Sequence, residues 1–81
     1  MKKAIAEFII KFLLDKFAIE AKAETGMDCV NEEQLEQLLK ALNEEFKIEL
    51  RLNDILWYIK TYSLNLEDLS SVIFNKIVVG G

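Results

Sequence analysis

The chain has 81 residues, enough for one small domain, which we assign to residues 1–81. Hydrophobic residues make up 52% of the chain, more than is usual for a soluble domain, so we expect a tightly packed core or an apolar face covered by a partner. The formal net charge is −4, and only Lys2 and Lys3 form a basic cluster, which argues against nucleic-acid binding.

Missing residue types exclude several kinds of chemistry. The chain has no histidine, the side chain best suited to proton transfer near neutral pH. Cys29 is the single cysteine, which excludes a zinc site of cysteine and histidine as well as an internal disulfide, and favours a reducing compartment. We therefore expect a cytoplasmic protein that is not an enzyme and that holds no metal.

The first helix is predicted to run from about Lys3 to Glu24 and to stop at Gly26, a left-handed cap. Apolar residues cover most of its circumference, which favours a central core helix; the alternative is a surface for self-association or partner binding. Three charged residues interrupt the apolar run, which argues against a secretory signal and excludes a membrane span: Glu7, Lys11 and Asp15.

The second helix is predicted from Glu32 to Glu45, with Asn31 as its N-cap and Gln34 closing a capping box. Residues 31–49 contain six glutamates and two lysines, so this segment alone carries a net charge of −4, equal to that of the whole chain. The charges indicate either an ordinary solvated helix face or a docking surface for a basic protein partner. The residues of that surface would be Glu32, Glu33, Glu36, Glu44 and Glu45.

Alternating apolar and charged residues then predict a short extended segment at 46–52. A third helix is predicted from Asp54 to Tyr62 and a fourth from Leu66 to Lys76, with Asn53 and Asn65 as their caps. Residues 77–79 either pair as a strand with 46–52 or simply pack. The aromatic residues of the third helix indicate core packing or a protein interface, because the acidic balance argues against base stacking: Trp57, Tyr58 and Tyr62. The whole is an all-α, four-helix chain.

Residues 26–73 resemble the acyl and peptidyl carrier protein family. The run from Leu38 to Leu50 is similar to the second helix of that family and the loop after it. Residues 52–56 are similar to its short third helix, and residues 66–73 to its last helix. Gly26-Met27-Asp28-Cys29-Val30 resembles the family's Gly-x-Asp-Ser-hydrophobic attachment motif. The resemblance implies a bundle of acyl-carrier-like architecture whose acidic second helix docks to partner proteins.

Cys29 stands where the family carries the serine that is modified with a phosphopantetheine arm. A thiol does not give the same stable phosphodiester, and a gapless alignment places Glu32 at the attachment position instead. We therefore expect no cofactor, with phosphopantetheine on Cys29 only if the attachment site is functional. The competing hypothesis is a homodimeric regulatory or inhibitory module, unrelated to carriers, that associates through its first helix.

Overall fold

Four helices surround one apolar core in the computed structural model, which describes residues 2–80. The helices are α1 (Lys2–Phe17), α2 (Glu32–Phe46), α3 (Leu52–Tyr62) and α4 (Leu66–Gly80), with a 3₁₀ turn at Met27–Cys29. These residues form no strand, so the predicted all-α, four-helix class is confirmed. None of the helices within 2–80 is both long enough and apolar enough to cross a membrane.

The core takes side chains from all four helices. α1 packs against α4 and α2, and α2 also contacts α3. Spacings of three and four residues place the inward side chains of each helix on one face. The fully buried apolar side chains include Ile5, Ile9 and Leu13 of α1, Leu35, Leu38 and Leu42 of α2, Ile55 of α3, and Leu66, Leu69 and Ile73 of α4. Leu14 is the one large hydrophobic side chain that α1 exposes, as expected for a core helix.

The first helix is shorter than predicted, and its predicted end at Gly26 is wrong. α1 ends at Phe17 because Ala18 adopts φ 56°, a left-handed conformation that a right-handed helix does not continue through. The amide of Ala18 donates to the carbonyl of Leu14 at 3.0 Å, which satisfies part of the helix end. Gly26 lies well beyond the helix with φ −64° and ψ 142°, an extended residue and not a left-handed cap.

Residues 18–31 connect α1 to α2 and cross the start of α4. The first amides of a helix have no partner within the helix, and here the connection supplies two of those partners. The connection also donates one amide hydrogen bond to Leu64, which lies just before α4. The three bonds run from Leu66 N–H to the Thr25 carbonyl (2.8 Å), from Glu67 N–H to the Ala23 carbonyl (2.9 Å), and from Met27 N–H to the Leu64 carbonyl (3.0 Å).

Two of the three predicted asparagine caps are present. The amide of Gln34 donates to Asn31 Oδ1 at 2.7 Å, and the Gln34 side chain accepts from the Asn31 amide at 3.0 Å, which completes the capping box. Asn65 caps α4 in the same way with Asp68. The predicted cap at Asn53 is wrong: α3 begins at Leu52, so Asn53 lies inside the helix.

The segment predicted to be extended, 46–52, is helical at both ends and non-helical only over 47–51. Lys47 is left-handed with φ 55° and ends α2. The Asn43 side chain then holds the segment: Oδ1 accepts from the Leu50 amide at 2.7 Å, and Nδ2 donates to the Leu50 carbonyl at 3.2 Å. α4 continues to Gly80, so the option of a strand at 77–79 is also wrong.

Replacing Ala18 by glycine should stabilise the protein by about 0.5–1 kcal/mol, because glycine adopts positive φ without the steric cost of a Cβ atom. Ala41→Gly is the matched control within α2, where the same change should cost about 1 kcal/mol. Urea denaturation followed by circular dichroism measures both. A destabilised Ala18→Gly variant would contradict the left-handed end of α1.

Replacing Asn43 by alanine should destabilise the protein by about 1–3 kcal/mol, because the backbone of the buried Leu50 loses both of its bonds to Asn43. Asn53→Ala is the control and should stay within about 0.5 kcal/mol, since α3 has no side-chain cap. Thermal and urea unfolding would compare the two. A loss of less than about 0.5 kcal/mol for Asn43→Ala would argue against the role of Asn43, and a loss above that value for Asn53→Ala would restore Asn53 as a cap.

Candidate interaction surfaces

Three of the five predicted docking residues lie close together around the axis of α2, on its outward side. Each residue turns an α-helix by about 100°, so Glu33, Glu36 and Glu44 fall within about 80° of one another. Glu32 lies about 40° from Glu36 and belongs to the same side. All four are exposed and the leucines of α2 are buried, with Leu39 only about 20° from Glu32 at one edge of this side. We call these four residues the acidic face; it extends about 18 Å along the helix.

Glu45 does not belong to the acidic face. It lies about 100° beyond Glu44 and lines a shallow hollow against α1, together with Lys11, Lys16 and other α1 residues. Lys40 lies within the acidic face, with Nζ 3.7 Å from a Glu36 carboxylate oxygen. Both side chains are exposed, so this pair adds little stability, but it neutralises part of the local negative charge.

Cys29 lies in the 3₁₀ turn, before α2 begins at Glu32. The residue is exposed, yet partial burial of its thiol raises the pKa, and the neighbouring Asp28 carboxylate raises the pKa further. A bond from its own backbone amide to the thiol acts in the opposite direction. The raised pKa lowers the fraction of thiolate at neutral pH, and the thiolate is the nucleophilic form.

A second surface lies between α3, α4 and the segment 47–51. An open groove of about 1080 Å³ separates them, and we call it the α3–α4 groove. Its lining is polar and apolar in nearly equal area, with seven apolar or aromatic residues beside two lysines, a glutamate and an asparagine. The lining residues are Phe46, Lys47, Ile48, Glu49, Leu50, Tyr58, Val72, Asn75, Lys76, Ile77 and Val79.

Next to this groove, three aromatic rings of α3 pack on one another. Trp57 meets Tyr58 and Tyr62 edge to face, with ring centroids 5.2 and 5.8 Å apart, and the two tyrosines stack at 6.2 Å. Trp57 is 55% exposed and Tyr62 is 60% exposed, so the ring cluster lies on the surface. Of the two interpretations of these residues, core packing is wrong for Trp57 and Tyr62, and an interface is favoured.

Sequence reasoning did not find the α3–α4 groove or the role of Asn43. The groove depends on α4 continuing through Ile77 and Val79, which the sequence predicts to lie beyond the helix. One signal was present: Ile55 and Trp57 are two positions apart, so a helix that buries the first turns the second about 160° away from the core. Asn43 has no such signal, because its partner Leu50 lies beyond the end of α2.

Cys29 should react with iodoacetamide more slowly at pH 7 than a free cysteine, because its raised pKa lowers the thiolate fraction. The rate should rise with pH as the thiol ionises. Burial is the larger cause of the raised pKa, but Asp28→Asn removes the one charge that adds to it, so the rate of this variant at pH 7–8 should exceed that of the unmodified chain. Asp54→Asn is the charge control and should change nothing; equal rates for all three proteins would contradict the influence of Asp28.

Comparisons with protein-family models, curated proteins and solved structures give no match to this chain.

Proposed function

We propose that this chain is a small acidic, carrier-like helical protein that works by docking to a basic surface on a partner protein, without a phosphopantetheine arm. The acidic face of α2 is the docking surface. In this proposal the protein acts through contacts and not through catalysis, and its single cysteine favours a reducing compartment such as the cytoplasm.

The observation that carries this proposal is the division of α2 into two sides. Leu35, Leu38 and Leu42 are buried, which fixes the rotation of the helix about its axis. The acidic face must then point to solvent along the whole helix, and its glutamates are exposed. Although Lys40 neutralises part of its charge, this face remains net negative, and such a face attracts a basic surface, speeds encounter with it and fixes its register.

The charge distribution favours docking over an ordinary solvated face. Most exposed helix faces mix charges of both signs, which keeps a protein soluble without creating a directed field. Here the segment 31–49 accounts for the entire net charge of −4, while the rest of the chain is balanced. A partner with lysines and arginines would therefore orient towards α2 before contact.

The order of the helices supports the carrier-like part of the proposal. Because α1 ends at Phe17, a long connection over 18–31 precedes the acidic helix, and α3 is the shortest of the four helices. Cys29 lies within that connection, and its protonated thiol is a poor attachment point. These features support a protein that keeps carrier-like docking without the arm.

Charge reversal on the acidic face should abolish partner binding. The double variant Glu36→Lys, Glu44→Lys changes the formal net charge from −4 to 0, because each substitution replaces a negative charge with a positive one. We expect the double variant to bind the co-purifying partner at least about tenfold more weakly than the unmodified chain does, because two charges of the acidic face are inverted. Isothermal titration with the identified partner at two salt concentrations measures the effect.

The matched control is Glu20→Lys, Glu24→Lys, which gives the same net charge through two exposed residues of the connection. This variant should retain binding, and circular dichroism should show both variants folded. Partner binding that is equally strong in both variants, or lost equally in both, would refute docking through α2.

A further inference from the structure

Two of the residues that line the α3–α4 groove are lysines without an acidic partner. Lys47 is exposed and Lys76 is half-buried, and none of the ion pairs within residues 2–80 involves either of them. Carboxylates are not scarce, since acidic residues outnumber basic ones by 14 to 10 in this chain. The groove therefore holds two ammonium groups whose charge the described part of the chain leaves available to a ligand.

The charge of the groove is opposite in sign to that of the whole chain. Its lining contains two lysines and one glutamate, Glu49, so it has a formal net charge of +1, whereas the chain has −4. The Tyr58 hydroxyl and the Asn75 amide add groups that can donate hydrogen bonds. Apolar side chains, among them Ile48 and Ile77, make up most of the remaining lining. The groove thus combines an apolar surface with donors suited to a negative charge.

We propose that the α3–α4 groove binds a small amphipathic organic anion, a molecule with one carboxylate or sulfonate group on an apolar body. The apolar body covers the apolar lining, and the negative group lies beside Lys76 and Lys47. A volume of about 1080 Å³ is sufficient for such a molecule, since ligand sites in proteins measure about 300–1000 Å³. The proposal does not rest on the docking function of α2, because it uses a different surface.

Two walls of the groove are held in place without a ligand. The Asn43 side chain bonds the amide and the carbonyl of Leu50, at 2.7 and 3.2 Å, which fixes the segment 47–51. On the α3 side, the Tyr58 ring packs against the rings of Trp57 and Tyr62, with centroids 5.2 and 6.2 Å away. A ligand that enters a preformed site loses little free energy to ordering the protein.

The first measurement compares two fluorescent probes on the unmodified chain. Anilinonaphthalene sulfonate carries a sulfonate on an apolar aromatic body, and phenylnaphthylamine is the same body without the sulfonate. Fluorescence titration should show one site that binds the sulfonate at least about tenfold more tightly, because only the sulfonate accepts charged hydrogen bonds from lysine. Amide chemical shifts should change most at Ile48, Leu50 and Ile77. Equal affinity for the two probes, no binding of the sulfonate, or the largest shifts on α1 would each overturn the proposal.

Variants then assign the charge preference to the groove. The double variant Lys47→Gln, Lys76→Gln should bind the sulfonate at least about fivefold more weakly and the neutral probe as before, because it removes charge but keeps most of the side-chain length. Neither lysine is buried, so the fold should survive, as circular dichroism would verify. Glu49→Gln should act in the opposite direction and strengthen sulfonate binding about twofold, since it removes the negative charge of the lining.

The matched control is Lys3→Gln, Lys60→Gln, which lowers the net charge by the same amount at two exposed lysines outside the groove. This variant should bind the sulfonate like the unmodified chain. Equal weakening in both double variants would reduce the preference to an effect of net charge and overturn the proposal. Unchanged sulfonate binding after the loss of Lys47 and Lys76 would overturn it as well.

Discussion

The structure depends on the way the connection 18–31 is bonded to the start of α4. A helix begins with amides that have no partner within the helix, and leaving them unpaired away from water is costly. Here the Thr25 and Ala23 carbonyls accept from the first amides of α4, and the Asn65 side chain accepts from Asp68. The connection can supply those carbonyls only if it is not itself helical. The end of α1 and the start of α4 are therefore coupled through these hydrogen bonds.

The same principle explains the segment between α2 and α3. α2 leaves unpaired carbonyls at its end, and the Asn43 carbonyl accepts from the Ile48 amide at 3.2 Å while its side chain bonds the backbone of Leu50. Leu50 is thereby fixed in the core. Asn43 on α2 therefore holds Leu50, which is one of the residues that line the α3–α4 groove. Asn43 thus contributes to both candidate surfaces, the acidic face of α2 and the α3–α4 groove.

Local signals predict the parts of this fold that are decided locally. The leucine periodicity of α2 and the asparagine caps at Asn31 and Asn65 involve residues within one or two turns of each other, and all were predictable. The end of α1 was not, because alanine-rich residues 18–24 favour a helix and only hydrogen bonds to distant α4 override that preference. Residues 77–79 are β-branched and suggest a strand, yet no strand edge is offered, since Asn43 already pairs Leu50. The acidic face followed from the sequence, whereas the α3–α4 groove needed the tertiary structure.

The exposure of the aromatic cluster follows from the short length of α3. A helix of eleven residues has about three turns, so it contributes few positions to the core. Ile55 is buried there, and Leu56 and Ile59 pack against the core, which fixes the rotation of the helix. Trp57 must then point outward, whatever its hydrophobicity. The chain is 52% hydrophobic, and a domain of this size cannot enclose all of that surface. The excess is therefore concentrated on the α3–α4 side, and the charge is concentrated on α2.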